Sequence, residues 1–430
     1  MYSEFRLNVQ LDKNRKITDV NYKYKIGIVP FTDLPQSFYE YSMNFHDAAH
    51  HIASYLLEED RFEIDSLDSY FFPLAFSYRH SIELILKALA FRNLPDKISR
   101  INFAKDTFHD LAKILDEVLK LENGQRAEEE IEWLKKYFAD ASQIDKESDS
   151  FRYPYHIIRA PGSLSEEPQF SMQKVFEKQT HINLVLFANK CEAAFEILNL
   201  WFNKSNELAV EWKKLKPVFI EMGGCYYGQS VVGYAKNDFY PYVNGFLETA
   251  AYIRNQMKNL FDFGEITKAS ELFMPMCYLY RNAVELAIKE AWFEEVGEDF
   301  QQRCKILNKK KHSISGLWNQ LRKWIGTFWG EECSYTIYFN DITIACDKLQ
   351  GFDGTASRFR YPCTKDMDLY FNKKTTLDFM NIAEFMESLI YSIDSIGNEL
   401  NRRNDYIDEI NAEYRAEMES EYIASMYGNY

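Results

Sequence analysis

The tetrapeptide Phe-Arg-Tyr-Pro occurs twice in this chain of 430 residues, at Phe151–Pro154 and again at Phe359–Pro362. Aligning the two copies brings a second pair of stretches into register, FFPLAFSYRHSIELILKALAF from Phe71 and LFMPMCYLYRNAVELAIKEAWF from Leu272. Their separation of about two hundred residues is much longer than the ~20–50 residues of a solenoid repeat. The sequence therefore predicts a duplicated domain.

Charged residues recur at matching places in the two halves of this alignment. The matched pairs are Arg79 and Arg281, Glu83 and Glu285, Lys87 and Lys289, His109 and His312, and Asp145 and Asp353. The Arg, Glu and Lys of each half step by four, so they lie on one face of a helix. An exposed ladder of ion pairs would add only about 0.2–0.5 kcal/mol per pair; a buried network or a functional site is the alternative. Recurrence of the whole set favours the network or the site.

Apolar residues recur at steps of three and four in both halves, which predicts amphipathic helices. We expect these helices at Gln36–Glu58, Ser66–Arg92, Phe108–Leu121, Glu129–Ser142, Ser171–Asn203, Phe239–Leu260, Thr267–Glu295, Ser313–Thr327, Ser334–Leu349 and Lys374–Asn401. Short strand-like segments precede each set, including EFRLNVQL and VNYKYKIGIV, then ELAVEW, PVFIEM and QSVVGY. The predicted fold is mainly α, with two tandem homologous helical bundles at 1–205 and 206–401, each with a short β segment before it. An acidic, Tyr-rich tail follows at 402–430.

Composition and missing motifs argue against several classes of protein. A net charge of −15 disfavours a broad nucleic-acid-binding surface but leaves room for a local basic cleft. The sequence has no run of eighteen apolar residues and no signal peptide, so we expect no membrane association. Seven scattered cysteines without a C-x-x-C pair favour a reduced, cytoplasmic protein. Since P-loop, dinucleotide-binding and serine-hydrolase motifs are absent from the sequence, we predict no cofactor.

The order of the repeated motifs resembles that of the higher eukaryote and prokaryote nucleotide-binding (HEPN) superfamily. The likeness rests on Y-R-x-x-x-E-L-x-x-K, then H-D-L, then F-R-Y-P and a long closing helix, and it covers Gln36–Asn203 and Phe239–Asn401. The branch of the family with Tyr-Pro after the arginine is the most similar. The resemblance implies helical bundles that pair, here as an internal pseudo-dimer. Many members are metal-independent ribonucleases of toxin–antitoxin and phage-defence systems, and others bind nucleotides or act as non-catalytic scaffolds.

In active members of that family an arginine is followed by four to six residues and then a histidine, and two copies meet across a dimer cleft. Here Arg152 precedes His156 by a shorter gap, and no histidine follows Arg360. The resemblance therefore implies both arginines as cleft residues and leaves the acid–base group open. His109 and His312 are further candidates, although each is also consistent with a structural role inside the bundle. The candidate catalytic residues are thus Arg152, His156, His109, Arg360 and His312, and the candidate substrate-binding residues are Arg79, Glu83, Lys87, Arg281, Glu285 and Lys289.

The motif also carries structural expectations. Its proline should end a helix and so hold the arginine at a bundle end or in a groove between the halves, with the flanking rings buried. Within the first half, Arg79, Glu83 and His109 should gather with Arg152 in one layer, and the second half should do the same. His46 and His50 have the i, i+4 spacing of metal ligands, but no third ligand is apparent, so we predict no metal.

The tail carries Tyr406, Ile410, Tyr414 and Met418 at intervals of four. It is either a packed extension of the last helix or an arm that binds a partner protein. Altogether we predict an intracellular effector or component of a prokaryotic phage-defence or toxin–antitoxin system, acting on RNA or a nucleotide in a local basic cleft. The alternative is a catalytically degenerate scaffold that binds a nucleotide or a partner protein. Homo-oligomerisation remains open.

Overall fold

The chain is mainly helical, as predicted. The computed structural model describes residues 11–12, 14–20, 23–57, 64–121, 126–160, 168–176, 181–207, 209–223, 230–232, 239–329 and 336–427. The first half contains α1 (Leu34–Leu57), α2 (Ile64–Asn93), α3 (Lys97–Thr107), α4 (Leu111–Leu121), α5 (Glu128–Ile144) and α6 (Leu184–Asn203). The second contains α7 (Phe239–Asp262), α8 (Ile266–Glu271), α9 (Phe273–Glu295), α10 (Phe300–Lys310), α11 (Ile314–Trp329), α12 (Thr336–Phe352) and α13 (Phe379–Tyr427).

The helices of the two halves follow one another in the same order. Helices α1 to α6 correspond to α7 and α9 to α13, and α8 is a short addition between α7 and α9. Helix ends correspond as well: Phe108 after α3 and Lys311 after α10 have φ angles of 48° and 49°. Their N–H groups donate to the carbonyls of Ala104 and Leu307, each four residues earlier. The backbone therefore repeats where the sequence does.

Short strands connect the two halves reciprocally. The strands are β1 (Lys25–Ile28), β2 (Tyr155–Ala160), β3 (Gln169–Lys174), β4 (His181–Asn183), β5 (Ser230–Val232) and β6 (Thr375–Asp378). Strand β1, before α1, pairs with β6 before α13, and β5, before α7, pairs with β4 before α6. Each half thus pairs a strand with the one that leads into the other half's closing helix.

Several predicted boundaries differ from the structure. Residues 4–10 of the segment EFRLNVQL lie outside the described residues. ELAVEW runs into a 3-10 helix at Glu211–Lys214, and PVFIEM makes only an isolated bridge through Met222. The helix predicted from Ser171 begins instead at Leu184, because Asn183 caps it by accepting a hydrogen bond from the N–H of Leu186 at 3.0 Å. The preceding residues form strand β3, which pairs with β2, and strand β4.

The two halves share one hydrophobic core. Buried residues of both form a single contiguous cluster, in which the rings of Phe76 and Tyr278 stack with centroids 4.6 Å apart. Helix α7 crosses α2 at Gly245, where a Cβ atom would lie 2.1 Å from the carbonyl oxygen of Ser69. Only glycine permits so close an approach of the two backbones. No helix within the described ranges is long and apolar enough to cross a membrane.

The predicted tail is mostly a continuation of α13. This helix runs unbroken from Phe379 to Tyr427. Its first part packs against α9, whereas nearly every described side chain from residue 404 onward is exposed. The tail therefore extends the last helix, as one alternative predicted, but beyond its first few residues it does not pack against the body of the protein.

Candidate functional site

In the first half, the repeated charged residues form a buried network, the first cluster. Glu83 has no exposed surface and accepts hydrogen bonds from the Arg79 guanidinium and from Lys87 Nζ, the latter at 2.7 Å. Arg79 Nε also lies 2.9 Å from Asp145 Oδ2. The exposed ladder is therefore excluded, because these charges are removed from water and depend on one another.

The second half repeats this arrangement as the second cluster. Glu285 accepts from the guanidinium of Arg281 and from Lys289 Nζ, the latter at 2.7 Å, and is likewise fully buried. Arg281 Nε lies 3.8 Å from Asp353 Oδ2, a looser contact than its counterpart. Burial raises the pKa of both glutamates, but the neighbouring lysine, histidine and arginine charges together outweigh it and hold each pKa well below the ordinary range.

A histidine is fixed against each buried glutamate. His109 Nδ1 lies 2.9 Å from Glu83 Oε1, and His312 Nδ1 lies 3.0 Å from Glu285 Oε1. An ionised carboxylate can only accept, so Nδ1 carries the proton and Nε2 of the neutral ring keeps its lone pair. The backbone carbonyl of each histidine accepts from the arginine of its cluster. This geometry is that of a carboxylate-oriented general base.

Both histidines favour the neutral form. Burial, with repulsion from Lys87 and Arg360, lowers the pKa of His109 despite the attraction of Glu83. For His312, the attraction of Glu285 raises the pKa, but burial and the charges of Lys289 and Arg152 outweigh it. Each histidine thus has a lowered pKa, which suits a base that works near neutral pH.

Phe-Arg-Tyr-Pro lies in a turn after a helix, so the prediction that it ends the helix is wrong. Helix α5 ends at Ile144, and Asp145 Oδ1 then accepts from the N–H groups of Asp149 and Ser150 at 2.8 and 2.9 Å. Asp353 Oδ1 does the same after α12, at 3.1 and 3.2 Å. Each aspartate thus accepts from the free N–H groups of the turn that follows its helix. The helix has already ended when the motif begins, so the proline of the motif does not end it. The Phe rings at 151 and 359 are buried, as expected.

Each motif completes the cluster of the opposite half. Tyr153 OH donates to Glu285 Oε1 at 2.7 Å and lies 3.1 Å from His312 Nδ1. Reciprocally, Tyr361 OH donates to Glu83 Oε1 at 2.9 Å and lies 3.3 Å from the corresponding histidine nitrogen. The expected grouping of each motif with its own half is therefore wrong. Sequence reasoning assigned these tyrosines only a packing role, although their place in the repeated motif was a signal.

The two motif arginines are more buried than a substrate-presenting role predicts. Arg152 is 5% exposed and Arg360 is 6% exposed. Arg152 Nε donates to the carbonyl of Ser148 at 2.6 Å, and the Arg360 guanidinium lies 5.6 Å from the ring centroid of Tyr278. These arginines thus lie at the seam between the halves. The charge of Arg152 acts on His312, and that of Arg360 acts on His109.

The second cluster opens onto a groove of about 710 Å³, which we call the basic groove. Residues of both halves line it. Its titratable lysine, carboxylate and histidine lining residues are Lys146, Glu147, Asp149, His156, Lys174, Lys289, Lys311 and His312. One wall is the hairpin β2–β3, which is tied to α10 because the Gln301 amide exchanges two hydrogen bonds of 2.7 Å with the backbone of Phe170. The lysines outnumber the carboxylates two to one, so the groove can attract an anion despite the acidic chain.

His156 faces the same groove from the first half. Its Nδ1 lies 3.3 Å from Asp149 Oδ2, and Nε2 lies 3.3 Å from Ser150 Oγ. The hydrogen bond to Asp149 raises the pKa of His156, against the effect of burial. The groove therefore holds two histidines with opposite pKa shifts, a lowered one at His312 and a raised one here. Opposed shifts of this kind suit a base and an acid.

The first cluster lacks these surroundings. The position of Lys311 is taken by Phe108, that of His156 by Thr364, and that of Lys146 by Gly354. In place of the hairpin, a loop closes through the bridge of Cys363 to Leu369. The two halves thus repeat the buried network. They do not repeat the basic rim, by which we mean Lys146, His156 and Lys311 around the second cluster.

A second cavity, of about 610 Å³, contains His46 and Glu192. His46 Nε2 lies 2.7 Å from Glu192 Oε2, and Tyr78 OH donates to the other carboxylate oxygen at 2.7 Å. Within the part of the chain that the structure describes, no group of three or more His, Cys, Asp or Glu side chains is placed to hold a metal. His46 is an ion-pair partner of Glu192: although burial lowers the pKa of His46, hydrogen bonds to Asp47 and Glu192 raise it to about 9. Comparison of the chain with protein-family models, curated proteins and solved structures gives no match.

Proposed function

We propose that this chain is an intracellular effector of a prokaryotic phage-defence or toxin–antitoxin system that cleaves RNA without a metal in the basic groove. The observation that carries the proposal is the Glu285–His312 pair, a neutral, carboxylate-oriented imidazole on a groove lined by four lysines. Imidazole is the usual general base near neutral pH, and lysine is a common partner of phosphate. The resemblance of the repeated motifs to the HEPN superfamily supports the same conclusion.

The reaction follows from the two histidines. His312 Nε2 removes the proton of a ribose 2′-hydroxyl, and the 2′-oxygen bonds to the adjacent phosphorus. The bond from phosphorus to the 5′-oxygen breaks, and His156 gives its proton to that departing oxygen. The products are a 2′,3′-cyclic phosphate and a 5′-hydroxyl. Lys289 lies beside the base and stabilises the charge that develops on the phosphorane oxygens.

The remaining candidate residues support this pair indirectly. Arg281 fixes Glu285 and the backbone of His312, so it positions the base. Arg152 is not among the residues that line the basic groove, so it does not contact a phosphate there, and its charge instead helps to keep His312 neutral. In the first half, Arg79, Glu83, Lys87 and His109 form the matching network, with Arg360 near it, but without the basic rim.

The test is cleavage of 5′-labelled RNA by the purified full-length chain in excess EDTA, with identification of the terminal phosphate. We expect a 2′,3′-cyclic product, and we expect His312→Ala to lower the rate by about 10²–10⁴-fold. The equivalent substitution His109→Ala is the matched control and should leave the rate within a few-fold. Cleavage that requires a metal, or equal losses in both variants, would refute the proposal.

The second candidate function is the degenerate scaffold, which binds a nucleotide or a partner protein without cleaving RNA. The observation that favours it is the burial of Arg152 and Arg360 at 5% and 6% exposure, since such residues brace a seam more readily than they contact substrate. It predicts that a nucleotide binds the groove in competition with RNA while no cyclic phosphate appears. Equilibrium binding beside the cleavage assay separates the two functions.

A further inference from the structure

The last part of α13 presents an uncovered apolar stripe. We call residues 404–427 the arm. Its exposed large side chains at intervals of four are Tyr406, Ile410, Tyr414, Met418, Tyr422 and Met426, each 45–61% exposed. The arm is about 36 Å long, and helices in proteins take most of their stability from packing an apolar face against another surface. The arm is thus built to be covered.

The charge of the arm limits what can cover it. Residues 404–427 carry seven carboxylates and one arginine. Two such arms side by side would repel each other. Their stripe also steps by four, whereas a left-handed coiled coil alternates steps of three and four. Pairing of arm with arm is therefore disfavoured on two grounds, and a cationic surface is favoured.

The protein itself has such a surface in the basic groove. Helix α10, which forms one side of it, adds Lys305, Lys309 and Lys310 to the groove lysines. The arm begins beside the end of α9, the helix that directly precedes α10, because Asn404 Nδ2 donates to both the carbonyl and the carboxylate of Glu295, each at 3.0 Å. An unbroken helix cannot turn back onto its own body. A second copy that faces the first can receive the arm and return its own.

We propose that the arm of one copy of this chain docks along the basic groove and α10 of a second copy, in a reciprocal two-fold dimer. Such an isologous contact closes on itself and does not grow into a filament. Complementary charge holds the two elements together, and the apolar side chains of the stripe that face the groove are removed from water. If the proposed ribonuclease function holds, the docked arm also blocks the groove, so that dimerisation inhibits cleavage.

The test is the association state of the full-length chain by sedimentation at about 10 μM, where a Kd near 1 μM gives mostly dimer. We expect a dimer whose Kd rises as salt increases from about 50 to about 500 mM. Glu417→Lys with Glu421→Lys on the arm should weaken the dimer by roughly tenfold or more, as should Lys309→Glu with Lys311→Glu. Combining the two pairs should restore the dimer.

Other outcomes would overturn the proposal. A monomer at all concentrations, absence of rescue in the combined variant, or a dimer strengthened by salt would each overturn it. A dimer strengthened by salt would indicate pairing of arm with arm.

The matched control is Lys113→Glu with Lys120→Glu on α4, which changes the net charge by as much as Lys309→Glu with Lys311→Glu. Tyr414→Gln with Met418→Gln tests the stripe, and because these side chains are exposed, it should weaken the dimer without changing Tm. None of these readings depends on cleavage, so failure of the ribonuclease proposal would leave them interpretable.

Discussion

The first and second clusters contain the same five residue types in nearly the same contacts, yet only the second opens onto the basic groove. Each has a buried glutamate that binds an arginine, a lysine and a histidine of its own half. The same glutamate also binds a tyrosine of the opposite half. They differ in the surroundings, where Lys311 and His156 of one correspond to Phe108 and Thr364 of the other. The comparison indicates that the buried networks hold the two halves together. The basic residues around the second cluster are what would allow that cluster, and not the first, to bind an anion.

The largest expected effect tests whether the two networks are equivalent in stability. Glu83→Gln and Glu285→Gln each leave a buried lysine without its counter-charge and a buried arginine with only its aspartate, which should cost about 3–5 kcal/mol of unfolding free energy. Urea unfolding followed by far-UV circular dichroism measures this loss. The two losses should agree, because both glutamates have no exposed surface.

Glu117→Gln is a suitable control for that experiment. Glu117 pairs with Lys120 on the exposed face of α4, so its substitution should leave the urea midpoint unchanged. A large loss in only one of the two network variants would show that the clusters differ inside as well as at the rim.

The next largest effect tests the proposed role of His156 as the general acid. His156→Ala should lower cleavage of ordinary RNA by about 10²–10³-fold. It should leave nearly intact the cleavage of a substrate with sulfur in place of the departing 5′-oxygen, because a thiolate leaves without a proton. Thr364→Ala, at the matching position of the first half, should affect neither substrate. Equal losses on both substrates would show that His156 acts in some way other than as the acid.

The pH profile provides a second reading of the same pair. The pKa of His312 is lowered, so activity falls only when the pH drops below that value and the base becomes protonated. The pKa of His156 is raised, so activity falls as the pH rises above it and the acid is lost. The rate should therefore be bell-shaped, and His156→Ala should remove the alkaline limb while retaining the acid one.

The sequence allowed the helical fold and the buried charges to be predicted, but not how the halves meet. Arg79, Glu83 and Lys87 could be placed on one helix face, because a spacing of four has a single geometric meaning there. No such spacing rule links Tyr361 to Glu83, since their contact depends on how two packed halves are oriented. The hairpin wall was missed because β3 buries only Phe170 among its six residues, so its alternation is too weak to indicate a strand.

A smaller effect tests the reciprocal tyrosines. Tyr153→Phe and Tyr361→Phe each remove a hydrogen bond to a buried carboxylate, with an expected loss of about 1.5–3 kcal/mol. Only Tyr153→Phe should alter cleavage. Without that donor Glu285 attracts the His312 proton more strongly, so the acid limb of the pH profile should move to higher pH. If Tyr361→Phe moved the limb as far, the first cluster would be the working site.

The smallest effect exchanges one residue of the rim. Lys311 and Phe108 occupy equivalent helix ends with φ of 49° and 48°, so each position accepts the other's side chain without new backbone strain. Lys311→Phe should weaken RNA binding several-fold and reduce the slope of log affinity against log salt by about 0.7, as expected when one phosphate contact to a single strand is lost. Phe108→Lys should change neither quantity, because Gly354 and Thr364 stand in the sequence at the positions that match Lys146 and His156 of the basic groove. Both variants should keep the Tm of the parent, since Phe108 is 61% exposed and Lys311 is also exposed. Fluorescence anisotropy with labelled RNA across a salt series makes the measurement, and a gain of affinity in Phe108→Lys would show that a single charge is enough to give the first cluster a binding rim.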